Sequence, residues 1–246
     1  MAFVVLVFLL ILLNLIRYIS PEASFIASSI SLSEIILASI FTLLRLFVAY
    51  FFALIASIPI ALLITHSSKT EKYLLPVSDI VQSVPILAFF PIIVLTFVKI
   101  GFIEGAVVFV LFMAMLWNLV FTMIGGLKTI PEDILSAAAI FRIKGLKKLL
   151  NITLPSIFPF IVTGSLLAWA QGWSILIVAE ALHSFIPGST ASSDPIGLGS
   201  LLVNAFYQGK NLLFLFTLAV MIILITLINF FIWQKLLHLA ERYKFD

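Results

Sequence analysis

Gln82 and Ser83, just ahead of Pro85, and then Gln171, Trp173 and Glu180, set hydrogen-bonding groups inside two of the most apolar stretches of this sequence. Pro76, Pro85 and Pro91 remove backbone donors, and each can kink or break a helix. Within a membrane such irregular backbone is tolerated where it is packed in protein or lines a wet cavity. Gln82, Ser83 and Pro85 are therefore candidates to line one; the other reading is a kinked packing helix with Gln82 bonded to a neighbour. Gln171 and Trp173 add further donors. Glu180 is costly unless paired or wet, and it reads either as a cavity group or as a solvated helix terminus, with Arg45 a candidate partner. Arg45 itself reads as a snorkelling anchor or as a charge facing the cavity. Asn118 reads as glue between helices, the other reading being a residue that lines the cavity.

This inventory offers reversible hydrogen bonding rather than bond making. His66, His183 and His238 stand far apart, with no H-E-x-x-H pattern and no paired carboxylates in one apolar stretch. Neither a G-x-S-x-G elbow nor a G-x-x-x-x-G-K-[ST] phosphate loop occurs. The expectation is a chain that is not an enzyme, with no catalytic residue, no metal and no cofactor of its own.

The elements that must hold these groups follow from composition. With 63% hydrophobic and 10% charged residues in 246, the chain reads as an all-α integral membrane protein of about six spans, each needing about 20 apolar residues. The spans fall at 3–16, 35–64, 74–98, 106–124, 156–182 and 201–233. The first is read as a retained span, because no Lys or Arg precedes it and no small-x-small cleavage site follows. Polar connectors fall at 20–33, 66–72, 99–104, 128–155 and 183–199, with a charged tail at 235–246. Ten Lys and Arg lie on one side of this topology and four on or near the other, which puts both termini in the cytoplasm. The same distribution accounts for the net charge of +3 without a nucleic-acid partner. Absence of cysteine excludes disulfides and thiolate metal sites. The organisation is a first span and loop at 1–34 and one membrane domain at 35–246.

The connector at 128–155 carries five basic and two acidic residues. Pro131 suits a first helical position, with Glu132 and Asp133 in the first turn. Ile134, Ala137, Ala138 and Phe141 follow at helical spacing on one side, where the alanines let another surface approach. Gly145 allows a turn, 146–151 can form a second short helix, and Pro155 starts the next span after Leu154, a residue biased away from helix.

The run SAAAIFRIKGLKKLLNITLP, residues 136–155, resembles the signature of the type I ABC importer permeases, the binding-protein-dependent inner-membrane components. That signature is Glu-Ala-Ala, three residues, Gly, nine residues, then Ile-x-Leu-Pro. Anchored on Ile152, Thr153, Leu154 and Pro155, it sets Ser136, Ala137 and Ala138 on the Glu-Ala-Ala and Arg142 on the Gly, leaving Gly145 to take over the turn. Further stretches across 42–243, including VQSVPILAFFPIIVL, GGLKTIPEDIL and GWSILIVAE, look most like the nitrate, sulfonate and taurine branch.

The resemblance implies the permease subunit of an ATP-driven importer, carrying a small solute such as nitrate, a sulfonate, taurine or bicarbonate through the cell membrane. It makes 128–155 a coupling-helix insert, with Pro131, Ile134, Ser136, Ala137, Ala138, Phe141, Arg142, Gly145, Leu154 and Pro155 facing an ATPase. It makes Gln82, Ser83, Pro85, Gln171, Trp173 and Glu180 translocation-path residues. The implied partners are a cytoplasmic ABC ATPase dimer holding ATP and Mg, an extracytoplasmic solute-binding protein, a second copy of this chain and the lipid bilayer. The alternative is an ion-coupled secondary transporter or channel, which would need ionisable groups at membrane depth; few exist besides Arg45 and Glu180.

Overall fold

A computed structural model describes residues 32–185 and 194–243. The expected span at 3–16, and most of the connector at 20–33, lie outside the described residues. Among the described residues all regular structure is helical. Helix α1 (Leu32–Ile64) is 33 residues long, about 50 Å at 1.5 Å per residue against a hydrocarbon core of about 30 Å.

The polar turn expected at 66–72 is shorter than its composition suggests. Ser67 accepts a hydrogen bond from the Thr70 backbone N–H at 3.2 Å, and this cap starts α2 (Ser68–Ser83) at once. Helix α3 (Ile86–Lys99) follows, bent 78° from α2. The break falls at Val84 and Pro85 alone. Pro76 and Pro91 stay inside their helices, so only one of the three prolines redirects the chain.

Gly101, with φ +76°, closes α3. Its N–H donates to the Val98 carbonyl and that of Phe102 to the Phe97 carbonyl, both at 3.0 Å, the paired bonds of a left-handed helix ending. Then come α4 (Ile103–Lys128), α5 (Glu132–Ile140) and α6 (Gly145–Lys148). The second short helix expected at 146–151 is not a separate piece. Through a π-helical turn, Leu149–Thr153, α6 continues into α7 (Leu154–Glu180), making one helix of 36 residues. Leu154 is helical at φ −63° and ψ −45°, and its N–H reaches back five residues to the Leu149 carbonyl. That wider turn lies just ahead of Pro155, whose ring crowds an α-helical ladder.

The last expected span, 201–233, straddles a turn. Helix α8 (Leu198–Tyr207) ends at Gly209, φ +66°. Helix α9 (Asn211–Ile228), a π-helical turn (Asn229–Trp233) and α10 (Gln234–Ala240) then form a 33-residue helical run to Tyr243. The tail expected from 235 is thus largely a helical extension. Among the described residues four helices are long and apolar enough to cross a membrane, or five counting the bent α2–α3 pair.

The described residues fall into two compact units, 32–44 with 177–185 and 194–226, and 45–176 with 227–243. In the first, Ala38, Ala179, Leu182, Leu198, Leu202 and Leu215 are buried. His183 and Asp194, at the two ends of the interval 183–194, are joined by a 2.7 Å bond from the His183 N–H and a 2.5 Å contact at Nδ1. In the second, the Trp169 ring meets Phe47 edge-on at 4.8 Å, with Tyr50 and Trp233 each at 5.9 Å. The Tyr50 hydroxyl donates to Ser165 at 2.7 Å. Helices α4 and α7 approach closely: a Cβ on Gly126 would lie 2.7 Å from Phe160, and one on Gly164 would strike Thr122.

Candidate functional site

The insert is built on its turn. Pro131 stands at the N-cap of α5 rather than within it, with φ −59° and ψ 140°. Its carbonyl accepts the N–H groups of Ile134 and Leu135 at 3.1 and 3.3 Å. At the other end Phe141 is the C-cap, the Arg142 N–H donates to Ala139 at 3.0 Å and the Ile143 N–H to Ala138 at 2.9 Å. These are the two bonds that close α3 at Gly101, made here around a non-glycine residue at φ +55°. Arg142 therefore keeps the left-handed turn at its own position, at a cost of about 1–2 kcal/mol. Gly145, also at positive φ (+58°), adds a second turn rather than replacing the first.

The face expected from Ile134, Ala137, Ala138 and Phe141 is divided. Ala138 is 3% exposed and so packs against its own chain, while Ser136 and Ala137 are open. Ile134 and Pro155 line a groove of about 450 Å³ with Asn151, Arg242 and Tyr243. The outward apolar surface is Ile140 at 78%, Phe141 at 76% and Leu146 at 68% exposure, with Arg142 beside them. Ile140 and Phe141 are thus open to a partner and Leu146 joins them, whereas Ile134 is half-buried. Leu154 is half-buried at the head of α7. Lys128, four residues before α5, is ion-paired to Glu71 in the first turn of α2, so the entry to the insert is tied to the helix that leads to Gln82.

A cavity of about 390 Å³ opens where α2 and α3 diverge, against α4 and α7. Gln82, Pro85 and Gln171 line it, joined by Trp117 and Asn118. The bend at Val84 and Pro85 lies in the cavity wall itself. Ser83 is adjacent, its hydroxyl bonded back to the Asp79 carbonyl at 2.8 Å. Trp173 does not line the cavity and is 8% exposed. Asn118 was legible as polar, but one amide in an apolar helix gives no indication of whether it faces a neighbour or a space. The lining carries three amides and no ionised side chain. Each amide can both donate and accept.

Glu180 is elsewhere and fully buried, so it is not a solvated terminus. Its carboxylate accepts from the Thr42 hydroxyl at 2.8 Å and from the Gly199 N–H at 2.8 Å. Thr42 in turn accepts the Leu198 N–H at 2.9 Å. The carboxylate thus caps the first turn of α8, where backbone donors lack helical partners and negative charge is favoured. Gly197 must be glycine for this approach, since a Cβ there would overlap the carboxylate. Arg45 is 4% exposed rather than snorkelling. It forks onto Glu104 through Nε at 2.6 Å and Nη2 at 2.8 Å, the geometry suited to a carboxylate. Glu104 had been assigned to a turn; it lies instead in the first turn of α4.

Comparison with known proteins finds transport permeases. Over 170 residues the chain is 28% identical to a nitrate import permease protein of Leptolyngbya laminosa, covering 69% of this chain and 56% of that protein. A bicarbonate transport system permease protein of Synechocystis is 28% identical over 159 residues, 65% of this chain and 52% of the relative. A taurine transport system permease protein of Escherichia coli is 26% identical over 141 residues, 57% and 50%. The chain spans about half the length of these relatives. Residues 53–242, which include the bent pair, the insert and the cavity, match the family described as binding-protein-dependent transport system inner membrane component, and the chain belongs to that family.

Proposed function

We propose that this chain is the membrane subunit of an ATP-driven importer and that its insert is the surface through which a separate ATPase moves it. The observation that carries this reading is the exposure of three large apolar side chains, Ile140, Phe141 and Leu146, on either side of the Arg142 turn in a basic segment between membrane helices. Exposed apolar surface of this kind marks an interaction site, and its neighbours Lys144, Lys147 and Lys148 favour the cytoplasmic side. The partners are then a cytoplasmic ATPase dimer holding ATP and Mg, an extracytoplasmic solute-binding protein, and a second copy of this chain, in a cell membrane with both termini inside.

Closure of the ATPases displaces the inserts, and the Lys128–Glu71 pair passes that displacement to α2 and the wall carrying Gln82. The ATPase must bind the two arrangements with different affinity for this to drive transport. The cavity amides are the path, and they take a small solute of the kind the relatives' names describe: nitrate, bicarbonate or taurine. Selection between such solutes falls mainly to the binding protein, since no cation lines the cavity.

Phe141→Asp tests the reading. The residue is exposed, so the chain should still insert and purify. Co-expressed with the ATPase and binding protein encoded beside it, the variant should lose the co-purifying ATPase and at least about tenfold of its uptake, one buried aromatic anchor being worth 2 kcal/mol or more. Uptake at the wild-type rate would overturn the coupling role. Ala138 is a poor site for this test, because a charge there acts first on the chain's own packing.

A further inference from the structure

At the end of the 33-residue helical run Asn211–Tyr243 lies a feature that transport does not use. Lys235, His238 and Arg242 recur at spacings of three and four and so share one helix face. With Phe230, Gln234 and Leu239 they line a groove of about 500 Å³. Phe230 and Leu239 are exposed there, and the Lys235 ammonium stands 5.8 Å from the Phe231 ring centre. Among the described residues His238 meets Glu241 at 3.3 Å, whereas Lys235 and Arg242 form no ion pair.

Two cations without an ion pair among the described residues, beside exposed aromatic and aliphatic carbon at the end of an apolar helix, call for an amphiphile with a negative head. A free phosphate would satisfy the cations and leave Phe230 and Leu239 in water. A second copy seated here by a two-fold axis would set this face, with Lys235 and Arg242, against the same cationic face of the other copy, which is repulsive. We propose that this groove binds an anionic phospholipid, its phosphate between Lys235 and Arg242 and an acyl chain along Phe230. Basic grooves at membrane helix ends suit such headgroups on charge alone, and long basic side chains reach them by snorkelling. Arg242 also lines the neighbouring groove with Ile134, Asn151 and Pro155. A bound headgroup therefore lies beside the insert, where it can bias the insert's position. This rests on the reading of Asn211–Tyr243 as a membrane span ending at a surface.

The purified full chain in mild detergent is mixed with equimolar phosphatidylglycerol and phosphatidylcholine and examined by native mass spectrometry. The wild type should retain phosphatidylglycerol in preference, and a Lys235→Gln, Arg242→Gln variant should lose that preference by about tenfold with unchanged thermal unfolding. Equal retention of both lipids by the wild type overturns the proposal, as does a preference that survives in the variant. Displacement by millimolar inorganic phosphate also overturns it, because the site would then read phosphate rather than lipid. So does conversion of a dimer to a monomer in the variant, which would make the groove an interface between copies. Since no ATPase, binding protein or solute takes part, a failure here leaves the transport reading standing, and failure of the transport reading leaves the lipid result standing.

Discussion

Glu180 and the amide pair Gln82 and Gln171 both place polar atoms in apolar surroundings, and the two regions deal with them in opposite ways. Around Glu180 every donor has an acceptor: Thr42 to the carboxylate, Gly199 to the carboxylate, Leu198 to Thr42, with no exposed surface left on the residue. At the cavity the amides face open space, and among the described residues neither Gln82 nor Gln171 makes a side-chain hydrogen bond. A polar group whose bonds are all made within the chain holds structure. One whose bonds are left open at a cavity has them free for something that passes.

That contrast can be broken by substitution. Glu180→Leu should have the largest effect, about 3 kcal/mol of lost stability, because it strands the Gly199 N–H and the Thr42 hydroxyl in a closed site. Thermal unfolding of the detergent-purified variant reads this, and a wild-type melting temperature would mean the carboxylate is not what holds α8. Thr42→Val, nearly isosteric, leaves the Leu198 N–H unmatched and takes one donor from the Glu180 carboxylate, and should cost about 1–2 kcal/mol in the same measurement. Gln82→Leu or Gln171→Leu should change stability by less than about 0.5 kcal/mol, yet slow solute uptake by roughly fivefold, the worth of one hydrogen bond. If either glutamine variant melts early while transporting normally, the two regions differ less than their geometry indicates.

Three helix ends show how far the sequence could be read. Gly101 is legible as a turn because glycine tolerates positive φ, and the structure puts it there. Gly209 makes the same turn but is hidden inside a long apolar run, so one span was read where a short helix and a long one stand. At Arg142 the residue type argues against the turn. The sequence reading moved that turn to Gly145, whereas the structure keeps it at Arg142, held by the packing of Ala138 and the bonds from Arg142 and Ile143. The candidate path divided in a similar way. Gln82, Pro85 and Gln171 meet at one cavity, whereas Trp173 and Glu180 are buried away from water. Period and polarity describe a residue's own helix but not the neighbour across from it.

Sequence alone determined that the chain is helical and membrane-borne, because backbone hydrogen bonds in lipid must be satisfied within each segment and apolar length sets the spans. It also located the insert, since charge and a fixed spacing of small residues are properties of the chain itself. Tertiary structure decided which of three prolines bends the chain, which carboxylate Arg45 grips, and that Glu180 caps a helix nineteen residues further on. Those outcomes depend on distances between atoms far apart in sequence, and such distances exist only once the helices have packed.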